Sequence, residues 1–394
     1  MARAAWTEPA PAHTRETHTG AASTPARVAI VHDWLTGMRG GEKVLESICA
    51  LYPAATVFTL VHVRGRVSKA IEAHPIRTSA AQWLPGARRL YRQYLPLFPA
   101  LVEWLDLDGF DLVISSSHCA AKSVIAAGQA VHVCYCHSPM RYAWDQFGAY
   151  FNPAQVGRLR HTLLRPVMAR MARWDAATAG RVDAFVANSR YVAGRIRRYY
   201  NRRSTVVYPP VDTTFYRPAD NQRPVDPGFL VVSALVPYKK VDVAIDACQR
   251  VGAPLKIVGE GPEAPRLRRL AGSNVEFLGR RSDEELKTLY QQASALLLPG
   301  IEDFGIVPVE AQACGCPVIA TGTGGATETV VDGETGLLVD EPSAAGFADA
   351  LARVAGLHLD PTRIRQQALR FSRDRFTAGF KAAVDEAVAH GYRP

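Results

Sequence analysis

At 394 residues, 48% hydrophobic and 21% charged, the chain is too long for one ordinary core and suits two domains of about 150–200 residues each. No apolar run approaches the roughly 18 residues of a membrane-spanning helix, which excludes such a span, and the net charge of +9 is concentrated locally. The seven cysteines are odd in number and scattered. Cys134 and Cys136, and Cys314 and Cys316, form C-x-C pairs in or beside apolar runs, whereas zinc sites usually use C-x-x-C with a second pair, so all are expected as small buried hydrophobes in a reducing cytoplasm.

Residues 1–26 are rich in Ala, Thr, Pro and polar groups and lack the apolar core of a signal peptide, so they read as a disordered tail. A strand is predicted over 27–32, then a glycine turn, Gly37-Met38-Arg39-Gly40-Gly41, and a helix over 42–51. Further strands are expected at 56–61, 111–115, 131–136, 183–187 and 205–207. Residues 87–105 mix Arg88, Arg89 and Arg92 with Leu90, Tyr91, Tyr94, Leu95, Leu97, Phe98 and Trp104. That pattern suits an interfacial helix broken or kinked at Pro96 and Pro99, or a segment packed into its own domain. From Arg158 to Arg203 a dozen arginines face two acids, Asp175 and Asp183, which suits either an anionic partner or a solvated helix surface.

At Tyr208-Pro209-Pro210 the pattern stops, and the next 18 residues, rich in Pro, Asp, Asn and Arg, read as a linker. Strands then recur at 229–234, 255–258, 275–278, 295–298 and 318–320, with helices at 241–250 and 284–292 and a last helical stretch over 361–390. Strand and helix alternation in both halves implies two doubly wound parallel sheets facing across a cleft. The domains are expected at 27–211 and 212–375, with 376–394 as a C-terminal helix returning to the first. In such sheets ligands bind beyond the carboxyl ends of the strands, so the loops there carry the candidates.

The most informative stretch begins at Leu297. Glu302 follows a strand, Gly305 opens a turn, Pro308 fits the first turn of a helix and Glu310 lies inside it. Free N–H groups at Gly305, Ile306 and Val307 would make an anion site at that helix N-terminus, flanked by two carboxylates able to grip sugar hydroxyls. Lys239 and Lys240 occupy the loop after the first strand of the second half, within reach of a phosphate. His118 and His137 end strands of the first half. Gly259-Glu260-Gly261 with Ala264 spells a dinucleotide fingerprint, but Gly279-Arg280-Arg281 stands where an acid should follow, which argues against hydride chemistry. Asp106-Leu107-Asp108 precedes its strand instead of following it, so no metal site is expected there.

These residues resemble family 4 of the retaining glycosyltransferases, with the GT-B fold of two Rossmann-like domains. The resemblance rests on Glu302-x(7)-Glu310 with Phe304-Gly305-Ile306-Val307, on Val236-Pro237-Tyr238-Lys239, Val258-Gly259-Glu260-Gly261-Pro262, Phe277-Leu278-Gly279 and Gly324-Gly325-x-x-Glu328. Ala187-Asn188-Ser189 and Pro210-Val211-Asp212 add to it. It implies that Glu302 holds donor-sugar hydroxyls, Glu310 the ribose, Lys239 or Lys240 the diphosphate, and His137 the donor sugar near the reacting carbon. Gly40 and Gly41 would face donor phosphate and acceptor, with Gly259, Gly261, Phe304, Gly305, Ile306 and Val307 completing the donor site. Many members carry an arginine about five residues before the lysine, where Ala234 stands here. The implied reaction is front-face transfer of a hexose without metal or other cofactor, from a donor such as GDP-mannose or a UDP-hexose. The implied acceptor is lipid-linked or a glycan. The implied setting is cytoplasmic, peripheral on an anionic membrane surface, with no nucleic acid as partner. An epimerase of the same fold and a sugar-nucleotide-binding scaffold are the alternatives.

Overall fold

The computed structural model describes residues 27–126, 128–219 and 228–391. The tail expected at 1–26 lies outside these, as does the linker segment 220–227.

The first sheet comprises β1 (Val28–His32), β2 (Thr56–Thr59), β3 (Ile76–Thr78), β4 (Leu112–Ser117), β5 (Val131–Cys136), β6 (Ala184–Ala187) and β7 (Thr205–Val206), in spatial order 3-2-1-4-5-6-7. The second comprises β8 (Phe229–Val232), β9 (Leu255–Val258), β10 (Val275–Gly279), β11 (Ala295–Leu298), β12 (Val318–Thr321) and β13 (Gly336–Val339), in order 10-9-8-11-12-13. Every pairing within the two sheets is parallel. Central strands β4, β5 and β11 are buried along their whole length, as strands covered by helices on both faces must be; β4 and β11 are runs of apolar and small residues, and β5 adds the buried His132 and Tyr135. The order reverses between β1 and β4 and again between β8 and β11, so a crevice opens at the carboxyl end of each sheet.

The helices that place the site are α1 (Gly40–Leu51), α2 (Arg158–Ala177), α3 (Arg190–Tyr200), α4 (Val241–Arg250), α5 (Asp283–Gln292), α6 (Ile306–Ala313), α7 (Pro361–Leu369) and α8 (Arg373–Gly391). The helical stretch expected over 361–390 is therefore two helices. The break has a physical reason: Phe371 turns into the second-domain core, Ser372 pairs with Val211, and the chain then crosses to the first domain. There Phe376, Phe380, Ala383, Val384 and Ala387 of α8 share a core with Ile30, Val44, Leu45, Ile114 and Tyr135.

Residues 87–105 do not form one interfacial helix. They run as three short turns, Ala87–Leu90, Tyr91–Leu97 and Phe98–Glu103, with Pro96 inside the second. Tyr91, Phe98, Leu101 and Val102 pack into the domain core around Trp34 and Phe58, while Trp83, Leu90, Leu97 and Trp104 stay exposed. All seven cysteines are buried thiols. Asp106 and Asp108 form an exposed turn ahead of β4, the Asp108 N–H donating to Asp106 Oδ1 at 3.1 Å, at the opposite end of the strand from the crevice. Part of the arginine-rich stretch is structural: Arg181 pairs with Glu103 and Arg195 with Asp145, both acids outside it.

Candidate active site

The second-domain half of the site is built by two strand-end loops forced together. A Cβ on Gly300, just after β11, would lie 2.8 Å from Lys239 Cα and 2.8 Å from the Tyr238 carbonyl, so only glycine lets the two loops touch. That approach brings the Lys239 ammonium onto Glu302 Oε1 in a tight ion pair with both side chains mostly buried. Lys240 caps the start of α4 in a left-handed conformation, φ 49°, and does not join the pair. Beneath Glu302 the Gly325 N–H donates to the Glu302 carbonyl at 2.8 Å. Gly305, φ 88°, turns the chain into α6, whose first N–H groups are the unpaired donors of a helix start. Pro308 sits in that first turn, as expected.

Glu310, inside α6, is buried, and its carboxylate has two partners. Lys43 of α1 reaches across from the first domain to Oε1 at 2.8 Å, and the Tyr290 hydroxyl donates to Oε2 at 3.3 Å. Burial pushes the Glu310 carboxyl above its ordinary range, with Lys43 acting against that shift. Asp283, at the start of α5, stands 3.6 Å from the same Lys43 ammonium.

The first-domain half gathers three histidines at the ends of β1, β4 and β5. The Ser116 hydroxyl lies 2.8 Å from His137 Nε2 and 3.1 Å from His32 Nδ1, joining the two rings. His32 is fully buried and its Nε2 has no partner. Burial, opposed by Asp33, pushes His32 down to about 4. Burial, reinforced by His118 and His32, likewise holds His137 well below the ordinary histidine range, so both rings are neutral at pH 7. Asp33 is the anchor. Its carboxylate accepts the N–H groups of His118, Cys119, Ala120 and Ala121 at 2.6–3.0 Å and lies 3.0 Å from His118 Nδ1. Burial works against the Asp33 charge, but His118 and these amides outweigh it and hold the carboxyl far below its usual range.

The glycine turn joins the halves. A Cβ on Gly40 would stand 3.1 Å from Ile306 Cδ1, and one on Gly41 3.7 Å from His32 Cε1 and 3.8 Å from His137 Nε2. Further contacts cross between the domains. Arg141 binds Asp303 through Nε at 2.6 Å, the Ser189 hydroxyl donates to the Asp303 carbonyl at 2.6 Å, and Tyr150 stacks on Tyr238 at 4.9 Å. Glu328 accepts the Arg190 and Tyr191 N–H groups at the start of α3.

Of the residues singled out from sequence, Gly40, Gly41, His137, Lys239, Glu302, Gly305, Ile306, Val307 and Glu310 gather at this crevice. Phe304 does not present its ring there. It is buried between Tyr208 and Phe371 in the second-domain core, so only its backbone faces the site. Gly259 and Gly261 are explained by packing, because a Cβ would lie 1.8 Å from the Ser233 carbonyl oxygen and 2.2 Å from that of Leu235, respectively. Sequence reasoning missed Asp33, Lys43, Ser116, Gly300 and Asp303. The one usable signal was Asp33, an acid directly after a buried strand. Chemically, the site offers a fixed ammonium and helix-start amides for a leaving anion, carboxylates for hydroxyl groups, and neutral imidazoles opposite.

Known proteins agree with this architecture. The pattern described as Glycosyltransferase Family 4 matches residues 38–215, and that described as Glycosyl transferases group 1 matches residues 212–370. A D-inositol 3-phosphate glycosyltransferase of Acidothermus cellulolyticus is 33% identical over 276 residues, 58% of this chain and 61% of that protein. An uncharacterized glycosyltransferase of Methanocaldococcus jannaschii is 34% identical over 164 residues, 40% of this chain and 46% of that protein. The chain thus spans less than two thirds of either relative. Among solved structures, Anabaena HepE in complex with UDP superposes with a TM-score of 0.66 at 18% identity, covering 91% of this chain and 100% of that one. The chain belongs to the group 1, family 4 glycosyltransferases and has the GT-B fold.

Proposed function

We propose that the protein transfers a hexosyl group, with retention, from a nucleoside-diphosphate sugar to a lipid-linked or glycan acceptor. The observation that carries this reading is the Lys239–Glu302 pair at the start of α6, set opposite His137 in a family 4 chain. In the reaction the bond between the anomeric carbon and the β-phosphate oxygen breaks, and the acceptor oxygen bonds the same face of that carbon. The acceptor proton passes to the leaving phosphate. Lys239 and the amides of Gly305, Ile306 and Val307 meet the charge that grows on the diphosphate, where preorganised donors lower the barrier most. Glu302 then exchanges its ammonium partner for sugar hydroxyls, and Glu310 receives the ribose. No metal is needed for this distribution of charge.

GDP-mannose is the first donor to test. A UDP-hexose is the second, since HepE was solved with UDP. A phosphorylated polyol acceptor is suggested by the inositol-phosphate relative. Attachment to an anionic membrane surface is supported by the exposed Leu159 and Leu163 on α2, one helical turn apart and flanked by exposed Arg158, Arg160 and Arg165. A panel of nucleotide sugars, scored for nucleoside-diphosphate release with and without lipid extract, tests the reading. Release that rises with acceptor supports it. An isomerised sugar formed from donor alone would favour the epimerase, and no turnover of any donor the protein binds would leave only a scaffold.

A further inference from the structure

Beside the glycine turn, outside the groups assigned above, a cleft of about 230 Å³ is lined by Thr36, Arg39, Arg88, Arg89, Tyr91 and Arg92. Three other arginines of this domain stand against carboxylates: Arg141 with Asp303, Arg181 with Glu103, Arg195 with Asp145. Among the described residues no acid lies within ion-pair distance of Arg88, Arg89 or Arg92, and the Arg92 guanidinium instead stands over the Tyr91 ring at 5.4 Å. Like charges gathered around one cleft repel, and a bound anion relieves that repulsion. The wall is firm enough to hold one. Tyr91 is buried against Trp34 at 5.0 Å, and the Thr36 hydroxyl donates to the Tyr91 hydroxyl at 3.3 Å. The planar fork of arginine matches the paired oxygens of a phosphate. The volume falls below the roughly 300–1,000 Å³ of sites that enclose a whole small molecule, so it suits one charged group of a larger ligand.

Position identifies that ligand. The cleft belongs to the first domain, and Arg39 directly precedes Gly40 and Gly41, which abut Ile306 and the His32 and His137 rings. The donor diphosphate is already provided for at Lys239 and α6 in the other domain. We infer that the cleft binds a phosphate or diphosphate carried by the acceptor, placing the acceptor's hydroxyl end toward His137. The inference rests on the transfer reading above. Leu90, in the same turn as Arg88 and Arg89, together with Leu97 and Trp104, leaves apolar surface on this segment, so the phosphate has two sources to separate: a prenyl-type lipid or a water-soluble sugar phosphate.

The test is calorimetric titration of the full chain, with excess GDP or UDP filling the donor site. The probes are inorganic pyrophosphate and farnesyl diphosphate, on the wild type and on the triple variant Arg88→Ser, Arg89→Ser, Arg92→Ser. Pyrophosphate should bind the wild type and weaken by about tenfold or more in the variant, the loss expected when charge-assisted hydrogen bonds go. Nucleotide affinity should stay the same, which also reports that the variant is folded. If the triple variant does not fold, Arg89→Gln alone should weaken pyrophosphate about threefold. Farnesyl diphosphate binding more tightly than pyrophosphate, with the gain lost in Leu90→Ser, assigns a lipid-borne phosphate, and equal binding assigns a soluble one. Unchanged pyrophosphate affinity in the variants, or no binding to the nucleotide-saturated wild type, overturns the inference. If neither GDP nor UDP binds, the donor reading fails by itself, and the pyrophosphate titration still decides the cleft.

Discussion

Replacing Glu310 by Gln keeps the shape of the side chain and removes its charge. The carboxylate is buried, with Lys43 on Oε1 and Tyr290 on Oε2, and each oxygen retains a lone pair for a ribose hydroxyl. Hydrogen bonds to a charged acceptor contribute about 1.5–3 kcal/mol and those to a neutral one about 0.5–1.5 kcal/mol. A single ribose contact should therefore weaken by about 1–1.5 kcal/mol, a five- to tenfold rise in donor KM. The ribose does not react, so its contact holds ground state and transition state equally and kcat should stay within about threefold. The unfolding free energy should change little, because Lys43 keeps Asp283 at 3.6 Å and the glutamine leaves no buried charge behind. Steady-state nucleotide release against donor concentration reads both constants. A hundredfold fall in kcat at unchanged KM would falsify the ribose assignment and move Glu310 to the reacting end of the donor.

Turnover should be the same in excess chelator as without it, since the proposed mechanism gives the anion-binding role to Lys239 and the amides at the start of α6. Activity lost in chelator and restored by magnesium or manganese would refute that. His137→Ala should lower kcat by about 10²–10³-fold with little change in donor KM, and the wild-type kcat should show no histidine titration between pH 6 and 8, because His137 is held neutral. Buried His32 and His132 both have folded values lowered from 6.5 to about 4. Their stabilisation is complete above about 6.5 and lost as pH falls toward 4, about 3 kcal/mol for each, so Tm should drop steeply over that window, and a flat Tm would count against the buried neutral rings. Sedimentation with anionic liposomes should exceed that with neutral ones, weaken with salt, and fall in Leu159→Ser, Leu163→Ser. Equal sedimentation with both would remove the membrane surface as a partner.

Where a physical signal is local in the chain, sequence reading found it. Strands β5, β9 and β11 coincide with their predicted limits because each is a largely buried run closed by turn residues, and helix α4 does because Val241, Ala244, Ile245 and Cys248 recur at helical spacing. Strand β3 was missed because Ile76-Arg77-Thr78 is a three-residue edge strand with no buried position, and β13 because it opens on Gly336 directly after the turn-forming run Asp332-Gly333-Glu334-Thr335. The two glutamates were legible because glycine and proline punctuate the loop around them. Their partners were not. Lys43 lies 267 residues from Glu310 and Arg141 lies 162 from Asp303, and only the packing of one domain on the other joins them. Phe304 was misassigned for a related reason: it sits in the middle of the site sequence, but the turn before α6 points its ring into the core.

The acids around the crevice already have protein partners in this structure, and under the proposed function that pairing constrains how a donor enters. An unpaired buried carboxylate costs several kcal/mol, and here Lys239, Arg141 and Lys43 stand against Glu302, Asp303 and Glu310. A sugar nucleotide brings two phosphate charges and several hydroxyl groups. A diphosphate that takes Lys239 frees Glu302 just as sugar hydroxyls arrive to hydrogen-bond it, so the exchange is nearly neutral in charge. At Glu310 the geometry is different, because Lys43 belongs to the other domain. A ribose that only adds to the free lone pairs leaves that interdomain pair intact, whereas one that displaces Lys43 sends it to Asp283 and removes a contact between the domains. Glu310 is thus both a candidate ribose acceptor and part of the domain interface, and the strength of the Lys43 contact sets how far donor binding and domain closure are linked.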